Sequence, residues 1–114
     1  MKYRRQLFGV KDPYSDSSDE LFTKAVKENF SYCISHCDDY RRICENLGIS
    51  SPAGASELPV IPTLLFKKKL IFNKGCIPLI KATSSGTSGR KSTIAFDAGG
   101  LLCGLKMVMR VSKL

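Results

Sequence analysis

The chain has 114 residues, 43% of them hydrophobic, and carries 18 Lys and Arg against 10 Asp and Glu for a net charge of +8. That length suits one domain with a modest core, and the apolar content excludes a chain disordered by composition. No run of about 18 apolar residues is present to span a membrane, and Met1 to Arg5 leads into charge rather than an apolar signal region, so neither export nor membrane spanning is expected and a cytoplasmic location follows.

Residues 1–18 mix charge, Gly9, Pro13 and a Ser/Asp cluster, and read as an irregular lead-in with a short strand at Leu7 to Val10. Ser17-x-x-Glu20 matches a capping box, in which the hydroxyl and the carboxylate each satisfy a free N–H at a helix start. The helix is therefore expected to begin near Asp19. Val26, Phe30, Cys33, Cys37, Tyr40, Cys44 and Leu47 follow at alternating four- and three-residue steps, which puts them on one helical face turned to a core. Gly48 is a natural C-terminal stop. The heptad-like spacing also suits a coiled-coil seam, but three cysteines, two aromatics and irregular flanking charges argue for a core-facing helix.

The five cysteines are an odd number without a secretion signal, so reduced thiols are expected. Cys33-x-x-His36-Cys37 hints at a metal, yet structural zinc takes four ligands and no second closely spaced pair exists. Buried thiols on a helix face are the reading that remains, with His36 a packed or half-exposed residue at the edge of the stripe.

Ser50 to Pro62 contains Pro52, Gly54, Pro59 and Pro62, and must be a loop that crosses from a helical part to a sheet part. Beyond it the charge is one-sided. Residues 58–114 hold ten Lys/Arg and the single acid Asp97, whereas residues 1–57 hold eight Lys/Arg and nine acids. This fits an anionic ligand. A nucleic-acid binder would interleave aromatics with its basic stripe, and Lys67-Lys68-Lys69 has only Phe66 and Phe72 nearby, so the run reads as a solvated edge or turn. A stand-alone basic α/β module that binds nucleic acid or another polyanion is the alternative function.

Apolar runs at Cys76 to Ile80 and Thr93 to Asp97 read as two strands, and Leu101 to Val111 as a helix. Ala98, Leu101, Leu102, Leu105 and Met109 are expected to pack that helix on the strand pair, while Gly99, Gly100 and Gly104 weaken its start. The fold class is thus α/β: an N-terminal helical segment followed by strand-loop-strand and a helix. The divisions are 1–18, a helical 19–48, a Pro-rich crossing loop 49–62 and a loop-bearing region 63–114.

Between the two strands lies Lys81-Ala82-Thr83-Ser84-Ser85-Gly86-Thr87-Ser88-Gly89-Arg90-Lys91-Ser92-Thr93. Gly86 and Gly89 allow positive φ and a close approach of backbone to ligand, and successive N–H groups with the hydroxyls of Ser84, Ser85, Thr87, Ser88 and Ser92 offer donors to phosphate. Arg90 and Lys91 add positive charge. A Walker A loop is excluded by count: Gly89 would need Lys at 90 and Gly at 84, where Arg90 and Ser84 stand, and a strand rather than a helix follows. By itself the stretch also reads as an ordinary Ser/Gly surface turn.

Ser84-Ser85-Gly86-Thr87-Ser88-Gly89 resembles the Ser-Ser-Gly-Thr-Thr-Gly phosphate loop of the AMP-forming adenylating enzymes, which include acyl-CoA synthetases, phenylacetate-CoA ligase and firefly luciferase. With Ile61-Pro62, Phe66-Lys67, Lys81-Ala82-Thr83, Ser92 and Ile94 to Asp97, the chain from about Asn29 onward is most similar to the LuxE-type acyl-protein synthetases. Many adenylating loops end Gly-x-Pro-Lys; Lys91 and Ser92 stand in the Pro and Lys places here, which the LuxE-type pattern accommodates.

The resemblance implies a fatty or other carboxylic acid activated with ATP and Mg²⁺ and passed to a protein thiol, with a reductase or acyl-transferring protein as partner. It also implies a break near Ser31 that makes two helices of one. Ser84, Ser85, Gly86, Thr87, Ser88 and Gly89 would hold phosphate, with Arg90, Lys91 and Ser92 assisting. No cysteine here takes the acyl-carrying role, which in the family lies near the end of the full-length enzyme. At 114 residues the chain is expected to be an N-terminal piece, an incomplete portion of an adenylating-enzyme N-terminal domain, marginally stable and inactive alone.

Overall fold

The computed structural model describes residues 1–12, 15–85, 89 and 91–112. The chain divides into two compact units, Met1–Pro59 and Val60–Leu114, and the division falls in the Pro-rich crossing loop.

The first unit is helical, and it begins with helix α1 (Lys2–Leu7) rather than an irregular lead-in with a strand at Leu7 to Val10. Met1 gives α1 no side-chain cap. Its free N–H groups are met instead by Glu28, whose carboxylate accepts from the backbone of Lys2 at 2.6 Å and Arg4 at 3.1 Å. A contact 26 residues away along the chain decides the local conformation.

Helix α2 (Asp16–His36) starts three residues before Asp19, with Ser15 at the N-cap position. The Ser17/Glu20 capping box does not form. The hydroxyls of Ser15 and Ser18 both donate to the carbonyl of Asp12, at 3.1 and 3.0 Å, and Glu20 pairs forward with Lys24. The chain breaks at Cys37, not near Ser31, and resumes as helix α3 (Asp38–Asn46). Cys37 serves both helices from one extended conformation, φ −128° and ψ 102°. Its N–H ends α2 on the carbonyl of Cys33 (2.8 Å) and its carbonyl receives the N–H of Arg41 (3.0 Å). Asp38 and Asp39 sit in the first turn of α3, where the helix dipole favours acids.

The expected stop at Gly48 is present in full. With φ +69° at Gly48, the N–H of Ile49 reaches the carbonyl of Cys44 (2.9 Å) and that of Gly48 reaches Glu45 (3.1 Å), the two bonds of a Schellman motif. Ala25, Phe30, Cys37 and Cys44 form the buried core, with Phe30 and Tyr40 edge-to-face at 6.0 Å. Leu47, the last member of the predicted stripe, is exposed, because the chain turns away just there. Residues 49–62 hold only a single 3₁₀ turn, Ala55–Glu57.

The second unit contains the one-turn helix α4 (Leu65–Lys68), strands β1 (Ile80–Thr83) and β2 (Thr93–Phe96), and helix α5 (Ala98–Val111). Residues 76–79 are not in strand conformation as expected; Pro78 has no N–H to give a ladder, and pairing starts at Leu79, whose N–H meets the carbonyl of Phe96 at 2.9 Å. The strands are antiparallel, with Ile80 opposite Phe96 and Thr83 opposite Thr93. Side chains alternate, so Ile80, Ala82, Ile94 and Phe96 share one face and Lys81, Thr83, Thr93 and Ala95 the other.

Asp97 ends the strand and caps α5, its carboxylate accepting from the N–H of Gly100 at 2.7 Å. A Cβ on Gly100 would lie 3.1 Å from that oxygen, so glycine leaves the cap room. Helix α5 departs from the sequence expectation in most of its apolar residues. Ala98, Leu102, Leu105 and Met109 are exposed, while Leu101, the one predicted packing residue that is covered, is half-buried with Gly99, Gly100, Cys103, Lys106 and Arg110.

Candidate functional site

The turn-rich loop sits where the hairpin closes. Beyond the last ladder pair the two strands are joined once more: the N–H of Ser84 meets the carbonyl of Ser92 at 3.1 Å. The Ser84 side chain returns the link, its Oγ accepting from the Ser92 N–H at 3.1 Å and from the Ser92 hydroxyl at 2.9 Å. Three hydrogen bonds therefore clasp the two ends of the loop.

Of the residues predicted to hold phosphate, the structure brings Ser84 and Ser92 together at this neck. Ser84, Ser85, Gly89 and Lys91 are exposed and Ser92 is half-buried. Gly89 has φ +84°, in the left-handed region that favours glycine, and no atom lies within 4 Å of where its Cβ would be. Backbone conformation, not crowding, therefore asks for glycine there. Gly86, Thr87, Ser88 and Arg90 lie outside the described residues.

The electrostatic setting is set by composition. Asp97 is the one carboxylate side chain of residues 58–114, and it is engaged at the α5 N-terminus. Neutral donors at the hairpin tip thus stand in a unit rich in cations, with Lys81 and Lys91 exposed close to the loop in sequence. Such an arrangement can hold an anion, with Asp97 the one acidic side chain of its unit.

Among the described residues no group of three His, Cys, Asp or Glu could hold a metal ion. Cys44 is buried on α3 and Cys33 half-buried on α2, while the buried Cys37 sits at the extended break between them. Burial pushes the Cys44 thiol up, against the lowering effect of its hydrogen bond with Tyr40; such thiols are inert. Burial, together with nearby Cys44 and Cys33, raises the Tyr40 hydroxyl to about 12. His36 packs, its Nδ1 at 2.8 Å from the carbonyl of Tyr32 and its ring stacked on Tyr32 at 4.0 Å.

Among the described residues, grooves of the first unit include two of about 410 and 320 Å³. Arg41, which lines the first, is held by Asp38 at 2.8 Å. The second is walled mainly by Phe8, Phe22, Val26, Phe30 and Leu58. No helix among the described residues is long and apolar enough to cross a membrane.

Sequence reasoning missed the neck and the Asp97 cap. The signal for the cap was present, an Asp directly before Ala98-Gly99-Gly100; Ser84 and Ser92 were recognisable as donors but not as partners.

Residues 10–113 match the family described as acyl-protein synthetase, LuxE. The chain is 38% identical over 80 residues to the long-chain-fatty-acid–luciferin-component ligase of Vibrio harveyi, which covers 68% of this chain and 21% of that protein. The corresponding ligase of Aliivibrio fischeri is 36% identical over 80 residues, 68% of this chain and 21% of the other. That of Photorhabdus luminescens is 32% identical over 85 residues, 72% of each. The chain thus spans about a fifth of the length of the Vibrio and Aliivibrio relatives. No solved structure matches. The matched family profile takes in both units and the clasped loop, and the chain belongs to the LuxE family of acyl-protein synthetases.

Proposed function

We propose that the chain supplies the phosphate-holding loop of an ATP-dependent acyl-protein synthetase, which activates a fatty or other carboxylic acid and passes the acyl group to a protein thiol. The observation that carries this reading is the Ser84–Ser92 clasp, which closes a Gly/Ser/Thr loop within a unit almost free of acids. The names of the relatives support the fatty acid as substrate. The likeness of Ser84 to Gly89 to the adenylating phosphate loop supports ATP.

In that reaction a carboxylate oxygen bonds to the α-phosphorus of ATP as the bond to pyrophosphate breaks, and the electron pair leaves with pyrophosphate. Two anions must be held together. Hydroxyls and N–H groups of Ser84, Ser85, Gly86, Thr87, Ser88 and Gly89 would bind the terminal phosphates. Arg90, Lys91 and Ser92 would offset charge that builds on the leaving group. This donor set fits phosphate. It offers Mg²⁺ no carboxylate, so ligands for the metal are not assigned to this chain. Within residues 19–114 the helical part, crossing loop and loop-bearing region would then be parts of one larger adenylating domain, with a reductase or acyl-transferring protein as downstream partner.

The test is carboxylate-dependent exchange of labelled pyrophosphate into ATP, measured on a gene product that carries this chain within a full-length synthetase. Exchange is expected, with a loss of about 10²-fold or more in Thr87→Val, the scale for removing a preorganised transition-state donor, and a comparable loss in Gly86→Ala, which keeps the N–H but restricts the backbone. A folded full-length protein without exchange would overturn the proposal.

A further inference from the structure

The smaller groove of the first unit, of about 320 Å³, lies between two helical faces. Arg4 and Leu7 of α1 and Phe8 at its end stand at i, i+3 and i+4, and Phe22, Ala25, Val26, Asn29 and Phe30 repeat that spacing on α2, so each set shares one face. Ala25 and Phe30 are buried and make the floor. Leu7, Phe8, Val26 and Leu58 are half-buried and Phe22 is 47% exposed, so the apolar walls are open to a ligand. The volume falls at the small end of the roughly 300–1,000 Å³ of small-molecule sites, whose walls are apolar with a few polar groups that set orientation.

Polar groups gather at one end of it. Glu28 accepts the N–H of Arg4 at 3.1 Å, which brings Arg4 near Asn29; Phe8 follows one turn on along α1, and Phe22 lies two turns back along α2. The Glu28 carboxylate is thus engaged by backbone, and the Arg4 guanidinium makes no ion pair among the described residues. No Asp or Glu among the described residues lines the groove. A guanidinium without a counter-charge attracts an anionic head, and the apolar trough beside it takes an aliphatic tail out of water. The larger groove lacks this combination, because its Arg41 is held by Asp38 at 2.8 Å and lies 3.9 Å from Glu45.

We propose that this groove binds a long-chain carboxylate, its head on the Arg4 guanidinium and its chain along Phe8, Phe22 and Val26. The choice of a carboxylate over another anionic head rests on the proposed function. The two are separable: a full-length synthetase without exchange refutes the role of the loop, whereas the titration below reads the groove alone.

The chain has no tryptophan, so Phe22→Trp places a single fluorescent reporter in the wall. Its emission is titrated with dodecanoate below the micelle concentration. A saturable change is expected, weakened about tenfold when Arg4→Gln is added, as for loss of a charge-assisted hydrogen bond, and about fourfold for each methylene removed from the acid. Dodecanol, which has the tail without the charge, should also bind about tenfold more weakly with Arg4 intact, so the test of the head does not depend on how Arg4→Gln folds. Leu105→Asp, on the exposed side of α5, should leave the titration unchanged. No saturable change, equal affinity for dodecanol, undiminished binding in a helical Arg4→Gln, or loss in Leu105→Asp overturns the proposal. In a full-length synthetase carrying this chain, alkylation of Phe22→Cys, located by mass spectrometry, should slow about tenfold with dodecanoate at about ten times its Kd, in proportion to the sites left empty. Equal rates with and without the acid overturn the proposal as well; equally slow ones mean that other polypeptide fills the groove.

Discussion

The Glu28 carboxylate accepts the backbone N–H of Lys2 at 2.6 Å, so a side chain in the middle of α2 stands where a capping residue of α1 would. Burial tends to raise this carboxyl, but the N–H groups of Arg4 and Lys2 and the nearby N-terminal charge outweigh it and hold it below its ordinary value. The stability it contributes is therefore present above the ordinary carboxylate range and is lost as pH falls through its lower, folded value. Glu28→Ala is expected to cost about 1 kcal/mol, as for loss of a cap, and to reduce the loss of stability between pH 5 and pH 3 (bounds approximate). Urea unfolding of both proteins at several pH values measures this; an unchanged pH dependence in the variant contradicts it.

At α5 the cap is local. Asp97→Ala is expected to destabilise the second unit by about 0.5–2 kcal/mol, with Asp97→Asn milder. Gly100→Ala should also destabilise, although alanine is the better helix former, because its Cβ would crowd the Asp97 oxygen. If Gly100→Ala instead raises the urea midpoint, the cap gives way easily and helix propensity prevails.

Gly48 and Gly89 are both at positive φ with open space around the missing Cβ, and on the proposed reading they would separate folding from recognition. Alanine costs about 1–2 kcal/mol in the left-handed region, and asparagine less. Gly48→Ala should lower the unfolding midpoint of the helical unit without touching nucleotide binding. Gly89→Ala should do the reverse in the full-length synthetase, raising the KM for ATP while Gly89→Asn retains more activity.

The free 114-residue chain should show a broad thermal transition and little shift with MgATP, since on the proposed reading this chain would supply contacts to phosphate only, and few contacts leave little surplus over the cost of binding. A sharp transition with a large nucleotide shift would contradict this. Binding of DNA or RNA should be weak, and charge reversal at Lys67, Lys68 and Lys69 should leave its salt slope unchanged; a flattened slope would favour the polyanion module instead.

Much of the helical unit was legible because Phe30, Cys37 and Cys44 recur at helical spacing and Gly48 marks a stop by its chemistry. The hairpin was legible because Gly and Ser punctuate two apolar runs. Helix α1 was not, since Glu28 caps it from another helix and no local pattern shows that. The break at Cys37 was hidden because one extended residue leaves the apolar spacing nearly continuous. Periodicity located the stripe of α5 but could not tell which neighbour it faces, and Leu102, Leu105 and Met109 are exposed where Leu101 is half-buried. For the loop, residue types were readable and the Ser84–Ser92 pairing was not, because register is a property of two strands together.

The clasp between Ser84 and Ser92 also makes the loop a ring whose circumference the fold hardly senses. Once the ends are tied, adding residues changes closure entropy only logarithmically, about 0.6 kcal/mol per doubling of length, so the hairpin below tolerates insertions between Ser85 and Lys91. An anion held by the ring would not, because its oxygens must meet donors at fixed spacing. Loop length is thus nearly free as far as folding is concerned, and an anion held there, as proposed, would be the stricter constraint on it.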